Sequence, residues 1–248
     1  ADGRFAVFAS SASNLVAGDD NGAADVFLKD VASGVITRIS VSGGGEEGDG
    51  RSMRPSISAD GRFVAFVSAA SNLVPGDTND ADDVFVRDLQ GGTLVRASTT
   101  SAGAQSSGAG FTADLSADGR YVLFSGSSSD FVAGDTDRTN NGLFAFADFF
   151  VKDLWTGDVV RVTESPGGGE FAFYVYFDNG RFESSDGRLV RFDGGVAASM
   201  IRFEFIKDLD TGELLEVGAG FDPWPPTPVQ QTLSADGRFE PFSSWERL

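Results

Sequence analysis

The sequence predicts an all-β protein: a β-propeller of four-stranded antiparallel blades made from repeats of about 58 residues, four visible and a fifth partial. Three observations lead there. A short phrase recurs at nearly constant spacing, each recurrence carries hairpin chemistry, and the strands beside it are apolar on both faces.

The phrase reads Ala1-Asp2-Gly3-Arg4-Phe5, then Ala59-Asp60-Gly61-Arg62-Phe63, Ala117-Asp118-Gly119-Arg120-Tyr121, Asp178-Asn179-Gly180-Arg181-Phe182 and Ala235-Asp236-Gly237-Arg238-Phe239. Its arginines lie 58, 58, 61 and 57 residues apart. A second phrase keeps the same beat: Phe27-Leu28-Lys29-Asp30, Phe85-Val86-Arg87-Asp88, Phe150-Val151-Lys152-Asp153 and Phe205-Ile206-Lys207-Asp208. All three lysines of the chain occupy this one position. The reading is a single domain over residues 1–248, with repeats at roughly 1–58, 59–116, 117–177 and 178–234 and a partial repeat at 235–248.

Within the second repeat, strand signals fall at Arg62 to Ser68, Asp83 to Leu89, Thr93 to Thr99 and Gly110 to Ser116. Asp-Gly between apolar runs signals a hairpin, and a type I′ turn takes positive φ at both central residues. Leu89-Gln90-Gly91-Gly92, Leu154-Trp155-Thr156-Gly157 and Leu209-Asp210-Thr211-Gly212 place a glycine where a longer hairpin needs a left-handed residue. Along the first strand, Phe63, Ala65 and Val67 point one way and Val64 and Phe66 the other, so both faces are apolar. A small antiparallel sheet greasy on both sides must be covered on both sides, which tandem blades achieve and a half-wet sheet does not. The third repeat carries an insertion from Arg138 to Asp148, and the fourth departs from the pattern through Phe171 to Phe177 and Phe203 to Phe205. Gln230 to Ser234 and Arg238 to Ser243 read as strands that would complete the first blade of a four-bladed ring, while a longer ring of which these repeats are a part fits almost as well.

Composition narrows the chemistry. Thirty-seven acidic against 19 basic residues give a formal charge of −18, which repels nucleic acid and anionic lipid. With no histidine and no cysteine, disulfides, thiolate chemistry, the common zinc sites and histidine-based triads are excluded. No stretch reaches the roughly 20 apolar residues that span a bilayer, so the expectation is a soluble protein. Ala1 stands where an initiator methionine would, without a basic, apolar leader, which points to a mature chain or a fragment.

Oxygen chemistry remains, and the acidic loops offer it. Ser13-Asn14-Leu15-Val16-Ala17-Gly18-Asp19, Ser71 to Asp77 and Ser129 to Asp135 open three long loops. They continue through Asp19, Asn21, Ala23 and Asp25, through Asp77, Asn79, Ala81 and Asp83, and through Asp135 and Asp137. Side-chain oxygens at relative positions 1, 3 and 7, with a carbonyl at 5, suit a hard cation, and calcium is the expected ion. Asp30 and Asp88 stand twelve places in, but an extended Asp83 to Asp88 carries the second about 16 Å away, so it cannot reach the same ion. Asn14 and Asn72 are read as loop caps, and the Lys/Arg of the second phrase as a partner for nearby carboxylates.

Ser58 to Phe66, Ser71 to Asn79 and Asp83 to Asp88 resemble the TolB-like, WD40-like (PD40-type) propeller repeats of exported bacterial proteins. The resemblance is closest in repeats one and two and faintest in four. It implies a mostly non-catalytic propeller in the periplasm or outside the cell, making contacts there, with calcium in its loops.

The leading expectation is therefore a secreted or periplasmic calcium-binding scaffold, with a protein or glycan partner at the rim or channel mouth. A carbohydrate-active enzyme is the second reading, since a carboxylate pair suffices for glycoside hydrolysis; Glu170, Glu183 and Glu204 break the repeat, and Trp155, Trp224 and Trp245 could stack on sugars. A third is a self-assembling subunit, a homo- or hetero-oligomer, with Pro223 to Pro228 and the phenylalanine-rich fourth repeat as an interface.

Overall fold

The computed structural model describes residues 3–135, 148–164, 174–175, 180–196 and 201–221. Several expectations lie outside them: the fifth phrase and its strands, Pro223 to Pro228, Trp224, Trp245, Glu170, Asp137 and the insertion up to residue 147.

The described residues form strands and no helix. Sheet one contains β1 (Phe5–Ser10), β2 (Asp25–Asp30) and β3 (Ile36–Arg38). Sheet two contains β4 (Ser52–Ile57), β5 (Phe63–Ser68), β6 (Asp83–Asp88) and β7 (Leu94–Arg96). Sheet three contains β8 (Asp114–Leu115), β9 (Tyr121–Gly126), β10 (Asp148–Asp153) and β11 (Val159–Arg161). Sheet four contains β12 (Tyr174–Val175), β13 (Arg181–Phe182), β14 (Leu189–Val196), β15 (Ile201–Asp208) and β16 (Leu214–Phe221), with β12 and β13 both pairing β14. Neighbouring strands are antiparallel, in a register that repeats: Phe5, Phe63, Tyr121 and Leu189 stand opposite Asp30, Asp88, Asp153 and Asp208.

Two-sided burial follows from the alternation in the strands. Val64, Phe66 and Phe85 pack with Val26 and Ile39 between sheets one and two. From the same strands, Ala65, Val67, Val84 and Val86 pack with Val122, Phe124 and Phe150 between sheets two and three. Leu123, Phe149 and Val151 then meet Val190, Phe192 and Phe205 between sheets three and four. At roughly 1.5–3 kcal/mol for each fully buried large apolar side chain, this face-to-face packing dominates stability.

Three local readings are corrected. The segment Gly110 to Ser116 belongs to the following sheet, since β8 pairs β9 and Gly110 bridges Gly126. The Asp-Gly hairpin pulls the strand before it into the sheet it opens, so sheets two to four begin one strand ahead of the sequence repeat. The turn is not type I′: Gly61 has φ +73°, but Asp60 is not left-handed. Instead the Asp60 carboxylate accepts from Ser58 Oγ (2.6 Å) and Arg62 N (2.9 Å), and Gly61 N donates to Ser58 O. This Asx-type arrangement holds the chain without strain on aspartate.

The fourth copy of the phrase is Ser184-Ser185-Asp186-Gly187-Arg188-Leu189, not the run ending at Arg181-Phe182. Ser184 Oγ donates to Asp186 Oδ1 at 2.6 Å and Arg188 N to the same atom at 3.0 Å, repeating the bonds at Ser58 and Ser116. Arg181 and Phe182 instead form the strand before that turn. The aromatic at Phe182 masked the shift, because Leu189 breaks the Arg-aromatic pattern.

Candidate functional site

Each acidic loop of the first three sheets leads from the end of one strand to the aspartate that opens the next, buried at Asp25 and Asp83 and half-buried at Asp148. Ser40 Oγ donates to Asp25 Oδ1 and Ser98 Oγ to Asp83 Oδ1, both at 2.5 Å, while Val26 N and Val84 N donate back to those hydroxyls. Thr163 serves Asp148 in the same way. The loop's apolar residue plugs the preceding sheet interface: Leu73 and Phe131 are 2% and 1% exposed.

The loops do bring the expected residues together. Asp19 and Asp25 converge, joined by Glu47 from the loop after β3, with one oxygen of each within 4.8 Å of the others. Arg38 Nη1 lies among them, 3.7 Å from Asp19 Oδ1, 3.4 Å from Asp25 Oδ2 and in contact with Glu47 Oε1. In the second loop Arg96 Nη1 lies 3.1 Å from Asp77 Oδ1 and 3.2 Å from Asp83 Oδ2, and Gln105 Nε2 donates to Asp77 at 2.9 Å. In the third, Arg161 Nη1 lies 3.0 Å from Asp135 Oδ1. Asn21 and Asn79 accept the N–H of Ala23 and Ala81, and Asn21 turns its amide N–H toward Asp25.

As arranged, this donor set does not fit calcium. The ion needs six to eight oxygens facing one point, and that point holds a guanidinium while the asparagine oxygens serve their own backbone. Burial pushes the Asp19 and Asp77 carboxyls up, neighbouring Asp25 and Asp83 push the same way, and Arg38 and Arg96 pull them back. The arginines were missed in the sequence, although Arg38, Arg96 and Arg161 each lie 13 residues beyond Asp25, Asp83 and Asp148 and two before Ser40, Ser98 and Thr163.

Asn72 caps the preceding sheet's loop rather than its own, donating to Glu47 O and accepting from Asp49 N. Two basic residues of the second phrase, Arg87 and Lys152, bond to oxygens other than carboxylates among the described residues. Arg87 Nη2 donates to Val41 O and its neighbours, and Lys152 Nζ to Thr99 Oγ1 (2.8 Å) and Thr100 O (3.1 Å), each reaching back to the preceding sheet. Backbone carbonyls satisfy a buried cation that would otherwise be costly. The same interfaces seat an aromatic ring on a glycine: a Cβ on Gly61, Gly119 or Gly187 would lie 2.6, 2.3 or 2.7 Å from Phe5, Phe63 or Tyr121.

Among the described residues, sheet one shows the receiving half of this arrangement without its complement. Nothing among the described residues lies within 4 Å of a Cβ position on Gly3. Lys29 is exposed where Arg87, Lys152 and Lys207 are buried, and Leu15 is half-buried where Leu73 and Phe131 are sealed.

Of the acids proposed for catalysis, Glu183 and Glu204 both face the buried Arg191, at 3.0 and 3.6 Å. Trp155 is 71% exposed, with the Arg120 guanidinium 4.8 Å from its ring centroid.

The comparison with family models finds no match, and neither does that with curated proteins. Among solved structures the chain is similar to dipeptidyl peptidase 4 of Porphyromonas gingivalis (15% identity, TM-score 0.51, 86% of this chain and 30% of that one). It is similar to the tricorn protease (18%, 0.50, 95% and 23%) and to the β-propeller domain of the Trilobed protease from Pyrococcus furiosus (14%, 0.43, 71% and 44%). The chain folds as a β-propeller. It spans less than half the length of each of these three chains, and at such identity the likeness concerns the blades alone, not peptidase chemistry.

Proposed function

We propose that this propeller is a non-catalytic interaction module of the TolB-like repeat class, working outside the cytoplasm, with a protein or glycan partner at its rim. The observation that supports the reading is that the described acids breaking the repeat are engaged within the fold: Glu183 and Glu204 both face the buried Arg191. Export rests on the resemblance of the repeats to those of exported proteins.

Screening for hydrolysis of polysaccharides tests the reading. The native protein should release no new reducing ends. Turnover that Glu183→Gln or Glu204→Gln abolishes overturns the proposal and favours a carbohydrate-active enzyme.

A further inference from the structure

We infer that the acidic loops carry a built-in cation: Arg38, Arg96 and Arg161 occupy the position a divalent ion would take, so the loops close without metal. Three blades repeat the arrangement. Each arginine ends its strand opposite Phe27, Phe85 or Phe150, aims Nη1 at the first loop aspartate, and keeps its side chain within 10% exposure. In two of them a second nitrogen bonds the backbone that precedes that aspartate, with Arg38 Nη2 2.5 Å from Gly18 O and Arg96 Nη2 3.2 Å from Gly76 O. The guanidinium thus ties side chains and backbone together, as a bound ion would, through a planar fork matched to carboxylates.

The fourth blade supplies the control. Opposite Phe205 stands Glu216 in place of the arginine, and Phe203 stands where Asp25, Asp83 and Asp148 stand. Only four residues separate β14 from β15, so the long acidic loop is gone as well. Arginine, aspartate and loop are present together or missing together, as partners in one device would be. In the second blade Gln105 stands in place of Glu47, so two carboxylates surround one guanidinium.

Thermal unfolding of the full chain, with calcium chloride or with a chelator, tests this together with the Arg96→Gln variant. The native protein should melt at the same temperature in both. Arg96→Gln should melt lower by about 5 °C or more, from two carboxylates left facing each other. Calcium should raise the melting temperature of that variant only, since the vacated point then resembles an ion site. Arg96→Lys should recover part of the loss, and it serves as the probe if the glutamine variant does not fold. Calcium dependence of the native protein, an unaltered Arg96→Gln, or no calcium response from the destabilised variant would each overturn the inference.

Discussion

The Asp88 carboxylate accepts from both Nε and Nη2 of Arg62, at 3.0 and 2.7 Å, and so ties the turn before β5 to the hairpin after β6. Asp88 Oδ1 also accepts the backbone N–H of Gln90 and Gly91 in that hairpin. Arg4 and Asp30 repeat the pair in blade one, and Arg120 and Asp153 in blade three. Because the carboxylate serves two backbone donors and the arginine is 41% exposed, the aspartate matters more. Asp88→Asn should cost about 1–3 kcal/mol and Arg62→Ala distinctly less, as read by urea unfolding at neutral pH.

The same pair sets an acid response. Arg62 holds the Asp88 carboxyl well below the usual carboxylate range, with the two hairpin N–H groups adding to the effect. A carboxyl whose folded pKa is depressed contributes stability above its unfolded value, near 4, and loses it as pH falls from there toward the folded value. The native protein should therefore lose more stability between pH 6 and pH 3 than Asp88→Asn, which lacks this titration. Equal losses in the two proteins would remove Asp88 from the account.

Gly119 has φ +73°, and a Cβ there would meet Phe63 at 2.3 Å, so two costs add. Gly34 has φ +76° with open space around it and bears only the first. Gly34→Ala should cost about 1 kcal/mol. Gly119→Ala should cost more than twice that, and Phe63→Leu should relieve part of the difference in the double variant.

Leu73 plugs the interface between blades one and two. Leu73→Ala should cost about 2–5 kcal/mol, and Phe131→Ala, between blades two and three, about 3–5. Leu15→Ala, at the equivalent place in the first loop, should cost distinctly less than Leu73→Ala, because Leu15 is half-buried where Leu73 is sealed. A loss at Leu15 as large as at Leu73 would overturn this expectation.

Much of this fold was legible because tandem repetition writes each rule several times. Two-faced strands such as Phe63 to Ser68, and the glycines at 92, 157 and 212, appear in the structure as the repeat implied. What misled were similarities one residue deep. Arg181-Phe182 imitated the hairpin phrase, while the functional copy at Arg188-Leu189 had lost its aromatic. For the loop aspartates, spacing along the chain shows which oxygens can meet, not which groups lie beside them.

Local chemistry alone determined the strands, the turns and the blade repeat: alternating side chains, a serine bonding an aspartate two residues on, a glycine where φ must be positive. Those interactions lie within a few residues of their partners, so the order of residues contains them. Which cation answers the aspartates and which carbonyls receive Arg87 and Lys152 depend on groups 13 to 53 residues apart. Such pairs meet only when the sheets stack, and the packed tertiary structure decided them.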